Sequence, residues 1–215
     1  MGYHEEYEEE RPESKGIGRF FQIIGQDCDT LLKVNLLFLL TCIPIITIPP
    51  AFYSLHRISR RMVTDKVVRT WSQYWEVFRK EWKQAYAAFF ISIFPLIVAG
   101  YGAWFYLSRT SGNVLFYAPF VFCAVVFLSL LLGSGYLYGL LADGRGLTRE
   151  TVTLALRLGL AKPLRSVLAA VSWYGMLTVS VMWFPFSGAY MILIGFSLPC
   201  MLWQFFIRTT LRDFA

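Results

Sequence analysis

Charged side chains are missing from long stretches of this 215-residue chain, and that absence limits what it can fold into. Ala85–Leu107 and Val114–Ala142 contain no Asp, Glu, Lys or Arg, and Leu164–Trp183 contains only Arg165, at its edge. A bilayer's hydrocarbon core is about 30 Å thick and is crossed by about 20 helical residues, a length each run meets. Two further apolar runs, Leu31–Leu55 and Ala189–Ile207, bring the expectation to about five spans. Lipid offers backbone N–H and C=O groups no partner, so such runs predict helices. The expected fold is all-α: a polytopic transmembrane helical bundle of residues 17–215, one domain, behind a disordered acidic tail of residues 1–16.

Composition agrees. Apolar residues make up 56% of the chain and charged residues 16%, against about 45–50% and about 25% in soluble domains; the mean hydropathy is +0.51. The net charge of +6 does not point to nucleic acid, because the basic residues flank the apolar runs. There they set topology and meet anionic headgroups of the lipid bilayer. Cys28, Cys42, Cys123 and Cys200 are scattered, with no Cys-x-x-Cys pair. His4 and His56 have no metal-ligand companion at helical spacing. There is no Ser-His-Asp set and no glycine-rich phosphate loop; Asp143–Gly146 reads as a turn. The expectation is no enzyme, no cofactor and no metal. The acidic N-terminus, with Glu5, Glu6 and Glu8–Glu10, is unlike a cleavable signal.

Residues 17–26 place Ile17, Phe20, Phe21 and Ile24 on one face and are too short to span, which suggests an interfacial stretch. In the first apolar run, the Pro49-Pro50 pair should stop the helix near Ile48 and restart it by Ala51. A re-entrant hairpin competes with a full span there. Residues 55–84 hold eight Lys or Arg and residues 143–165 hold five, whereas the two short turns hold only Arg109. The excess of positive charge places both long loops and the C-terminus in the cytoplasm of a multi-pass cell-membrane protein. Five spans put the N-terminus outside; a hairpin at the first run brings it inside.

Residues 70–83, TWSQYWEVFRKEWK, carry Trp71, Tyr74, Trp75, Phe78 and Trp82 at helical spacing, with Arg79, Lys80 and Lys83 between them. Aromatic rings favour the headgroup level and basic side chains reach lipid phosphates, so this segment is expected as a cytoplasmic interfacial amphipathic helix. A protein-docking face is the competing reading. Residues 147–162 occupy the same place before the fourth run. The order of interfacial helix, span, short turn and span thus occurs twice, a possible two-fold internal repeat. Gly135 and Gly139, four apart in the third run, let helices approach closely, either inside the bundle or at a homodimer seam. The few hydroxyls and amides in the runs, among them Thr41, Ser92, Ser134 and Gln204, fit structural hydrogen bonding. Broken helices and mid-membrane polar groups, usual in transporter repeats, are expected to be scarce in the second to fifth runs.

Residues 35–63, NLLFLLTCIPIITIPPAFYSLHRISRRMV, with Asn35, Pro44, Thr47, Pro49 and Pro50, resemble the YesL family of uncharacterised bacterial membrane proteins. The resemblance continues at Phe78–Ala85. YesL-like proteins are often encoded beside carbohydrate uptake transporters and sensor kinases in Gram-positive bacteria. The resemblance therefore implies an accessory or regulatory role beside a transporter or sensor membrane protein. The alternative is a small transporter, dimeric through Gly135 and Gly139.

Overall fold

The computed structural model describes residues 17–64, 69–109 and 114–212. The acidic tail of residues 1–16 and Lys66 lie outside the described residues. Everything regular among the described residues is helical.

Helix α1 is Ile17–Cys42, so residues 17–26 are its first turns rather than a separate interfacial stretch. The chain breaks at Ile43 and Pro44, makes a 3-10 turn over Ile45–Thr47, and starts α2 at Ile48–Val63. The break therefore lies several residues before the expected one. Pro44 ends α1 because it lacks an N–H and disfavours helical geometry at Ile43. Pro49 and Pro50 sit in the first turn of α2, where an N–H has no intrahelical acceptor and a fixed φ suits the helix. They begin a helix instead of interrupting one. Leu31–Leu55 is thus not one continuous span: α1 and α2 pack on each other across a short break.

Helix α3 is Thr70–Lys80, α4 is Trp82–Leu107 and α5 is Tyr117–Ala142. After a turn comes α6, Arg149–Ala161, where the Thr148 hydroxyl accepts from Thr151 N at 3.2 Å as its N-cap. Helix α7, Pro163–Ala170, runs through a π-helical turn at Val171–Gly175 into α8, Met176–Met182. Helices α9, Gly188–Leu193, and α10, Ser197–Arg212, follow. Three helical stretches are long and apolar enough to cross a bilayer: Trp82–Leu107, Val114–Ala142 and Pro163–Met182. At about 1.5 Å per residue each reaches roughly 30 Å or more. The fifth expected run is divided at Ile194–Phe196, a break that its apolar sequence did not announce.

Helix α2 is the hub. It packs on α1, α3, α4, α5 and α10, and twelve of its sixteen residues are buried. Helices α4 and α5 pack along each other. Helix α6 lies along the flank of α5, not only at its end: a Cβ on Gly159 would stand 2.9 Å from Gly133 N, so the two backbones nearly touch. Helix α10 runs beside α5, with Trp203 at Gly135, and Ile207 and Leu211 at Gly139. The two halves of the expected repeat differ in build. The first pair of long helices is continuous, and the second is interrupted by the π turn and the 194–196 break.

Candidate functional site: a buried polar cluster around α2

Three polar assemblies meet at α2 and its neighbours. The first ties α2 to the ends of α4 and α5. Arg60 donates from Nε to Asp143 Oδ1 and from Nη2 to Asp143 Oδ2, both at 2.8 Å. This two-pronged geometry matches the planar guanidinium to a carboxylate. The Arg60 side chain is 4% exposed and that of Asp143 is 31% exposed, so the pair is buried from one side only. One helical turn away, Arg57 Nη1 donates to Leu141 O at 2.7 Å, filling a carbonyl at the C-terminal end of α5. Arg57 also lies 3.5 Å from Glu81, whose other oxygen accepts from the Tyr53 hydroxyl at 2.8 Å. Two arginines counted in the sequence as topological charges thus serve as fasteners, and Asp143 is more than a turn residue.

The second assembly is Asn35, which is fully buried. Its Nδ2 donates to Met191 O at 2.9 Å and Ile192 O at 2.7 Å, at the end of α9. Its Oδ1 accepts from Phe196 N at 2.9 Å and Ser197 N at 3.1 Å, at the start of α10. An amide offers two donors and two acceptor sites, and all four are used. One side chain from α1 therefore closes both helix ends exposed by the 194–196 break. Such a break in apolar surroundings is tolerated only where another group satisfies the freed backbone. A Cβ on Gly195 would come within 2.4 Å of Met191 Cα, so this tight corner also needs a glycine.

The third assembly is an aromatic chamber around His56. The imidazole stacks on Tyr138 of α5, with ring centroids 4.8 Å apart and 19° between planes. Phe52 meets it edge-on at 4.5 Å, with Trp173 at 5.7 Å and Trp203 at 6.2 Å. His56 Nδ1 lies 3.0 Å from the Gln204 amide nitrogen. His56 Nε2 and Gln204 Oε1 are buried without a hydrogen-bond partner. The Ser92 and Tyr138 hydroxyls lie 3.2 Å apart on the facing wall. His56, Ser92, Ser134, Tyr138, Tyr174 and Trp203 border a cavity of about 40 Å³. Two wall residues, Trp173 and Tyr174, stand on the π turn, a distortion that often marks functional positions. Gly135 makes the chamber possible, since any Cβ there would collide with the Trp203 indole at 1.7 Å. The cavity has room for about one water molecule.

The residues expected at a membrane interface divide. Trp71 on α3 and Trp82 at the start of α4 are exposed. Trp75 and Phe78 are half-buried, Arg79 lies 5.5 Å above the Trp75 ring, and Lys83 lies 5.6 Å from the Trp82 ring. Lys80 pairs with Glu76 at 2.8 Å and holds that carboxyl below its ordinary pKa by hydrogen bond and charge. Tyr74 does not share their face. It is fully buried, and its hydroxyl lies 2.7 Å from that of Thr41 on α1. Helical spacing alone could not separate the aromatic that faces the core from those that face out. Gly135 and Gly139 both face α10 within the chain. Pro44 and Thr47 form the α1–α2 break, with Pro49 and Pro50 just past it in the first turn of α2, and Thr47 Oγ1 donates to Thr41 O and Pro44 O at 2.5 Å.

Sequence reasoning overlooked His56 as anything but a lone histidine, and it did not single out Tyr138, Trp173 or Trp203. One available signal was Gln204, the only amide side chain between Leu164 and Ile207. Among the described residues, no three His, Cys, Asp or Glu side chains group in a way that could hold a metal ion. No curated protein and no solved structure matches the chain. A family model described as a protein of unknown function, DUF624, matches residues 31–102, the stretch from Asn35 and the α1–α2 break through Tyr53, His56, Arg57, Arg60, Glu81 and Ser92.

Proposed function

We propose that this chain is a non-catalytic, multi-pass protein of the plasma membrane that serves as an accessory or regulatory partner of another membrane complex. The observation that carries this reading is the contrast between the central cavity and the outer surface. The cavity where α2, α4, α5, the π turn and α10 meet is about 40 Å³, the room of a water molecule and not of a solute pathway. The outer halves of α4 and α5 present Phe94, Val98, Tyr101, Phe122 and Val125, all exposed, to whatever surrounds them. In a bilayer that surface is open to a partner's helices as well as to lipid. The resemblance of residues 35–63 to YesL proteins suggests a carbohydrate uptake complex as that partner.

In this reading both basic loops and the C-terminus are cytoplasmic. The α1–α2 break makes a hairpin that brings the start of α1 to the same side. Cysteines replacing Arg145 or Arg11, in a chain freed of its native cysteines, should resist an impermeant thiol reagent on intact cells. Labelling at Arg145 from outside would reverse the topology.

Photo-crosslinking groups at Phe94 and Phe122, in native membranes, test the functional reading. The expected result is a discrete adduct with one membrane protein that co-purifies with the chain. Adducts with lipid alone would overturn it. Solute-specific counterflow in liposomes containing only this protein would replace it with the transporter reading.

A further inference from the structure

A groove of about 580 Å³ runs between α1 and the start of α3, apart from the His56 chamber. Its two ends differ in chemistry. Along α1 one end carries Asp29, Thr30 and Lys33, and the start of α3 adds Arg69, Thr70 and Ser72 to the lining. The other end of that α1 face is Leu36, Leu37 and Leu40, and Trp71 of α3 also lines the groove. Leu36, Leu40 and Trp71 are exposed, and the apolar surface continues beyond the groove through exposed Ile43, Ile45 and Ile46. From Lys33 to Leu40 the helix rises about 10 Å, the reach of a headgroup's neighbouring acyl segment.

We propose that this groove binds one anionic phospholipid, its phosphate between Lys33 and Arg69 and an acyl chain along Leu36, Leu37 and Leu40. Charge and apolarity are ordered as such a lipid orders them: a basic end, then an uninterrupted apolar floor. A soluble anion would have no use for the floor, and a neutral apolar ligand none for the basic end. Lys33 is free to turn to a phosphate. Its present partner is Asp29 at 2.5 Å, but the two side chains are 61% and 73% exposed, and exposed pairs of this kind contribute little. The first turn of α3, which lines the groove, has no side-chain cap and no acidic residue, so its N–H groups add to the positive potential. The volume lies within the range of ordinary ligand sites.

The test uses the full-length protein in detergent and native mass spectrometry with added phosphatidylglycerol or phosphatidylcholine. Phosphatidylglycerol should be retained in preference. Lys33→Glu should cut that retention about tenfold, in keeping with the loss and reversal of one basic group near an anionic headgroup. Asp29→Asn should raise retention, because it removes the competing carboxylate. Lys80→Glu, on exposed α3 surface outside the groove, should leave it unchanged. Equal retention of both lipids, or full retention by Lys33→Glu, would overturn the proposal. Complete competition by millimolar inorganic phosphate would show a free-anion site and overturn it too. A disulfide-linked dimer of Leu40→Cys in native membranes would assign the groove to a second copy, with the same consequence.

Discussion

The core around α2 and the outer halves of α4 and α5 are made of similar residue types arranged by opposite logic. Around α2, polar side chains are buried as deeply as their apolar neighbours: Asn35, His56, Arg60 and Gln204 all lie inside. On the α4–α5 hairpin, Phe94, Phe122 and Val125 are exposed. In water so large an exposed apolar surface would be costly. In lipid it is the natural arrangement, since apolar surface gains nothing by leaving hydrocarbon and polar groups must find partners. Burial in this chain therefore marks hydrogen-bonding work and shape, whereas the bare helices mark apolar length.

The comparison can be broken by mutation, most severely at the core. Asn35→Leu removes four hydrogen bonds and strands backbone groups at Met191, Ile192, Phe196 and Ser197. At about 1–3 kcal/mol for each buried group left unpaired, a loss of about 4 kcal/mol or more is expected. Thermal unfolding in detergent should show it, and proteolysis near residues 194–196 should rise. A melting curve like that of the unaltered protein would mean Asn35 does not hold the break.

Gly135→Leu should come next. Its Cβ alone overlaps the Trp203 indole, so α10 must shift from α5, at a cost of about 3 kcal/mol. If the Gly-x-x-x-Gly stripe were a dimer seam, the same change would alter oligomeric state while the monomer kept its stability. Size-exclusion chromatography with light scattering separates the two outcomes.

Arg60→Ala should cost about 2 kcal/mol. That is below the usual loss for breaking a fully buried pair, because Asp143 retains access to solvent. Asp143→Ala alone should cost more, since it leaves the buried guanidinium unpaired. Additive losses in a double-mutant cycle, with no coupling energy, would show that the two residues act through other partners.

The His56 chamber sharpens the comparison with a smaller effect. Replacing both His56 and Gln204 by apolar residues, His56→Phe with Gln204→Leu, removes a polar pair together. Stability should change by no more than about 1 kcal/mol. Retained stability with a lost cellular phenotype would assign the pair to function and not to folding. Smallest of all, Phe122→Ala on the bare hairpin should change monomer stability by less than about 0.5 kcal/mol, as for isolated exposed positions. A large loss would mean that the outer halves are packed in the protein's working state.

The sequence by itself determined where this chain is helical and apolar, because both follow from local composition. Trp82–Leu107 and Val114–Ala142 are legible from the absence of charge and the length of each run. The Pro49-Pro50 pair announced a break, but it lies earlier, at Ile43–Thr47, because Pro44 ends α1 and the pair falls in the first turn of α2. The tertiary structure decided the partners. Asn35 meets Met191–Ser197, Arg60 meets Asp143, and His56 meets Tyr138, Trp173 and Gln204, all far away in the chain. Periodicity orders side chains around one helix axis and says nothing of which neighbouring helix they face. That is why Tyr74 and Trp71, read as one aromatic face, lie on opposite sides of the core boundary. The 194–196 break was invisible for the same reason: an apolar sequence can stop being helical in a low-dielectric setting only when a distant side chain supplies its missing hydrogen bonds.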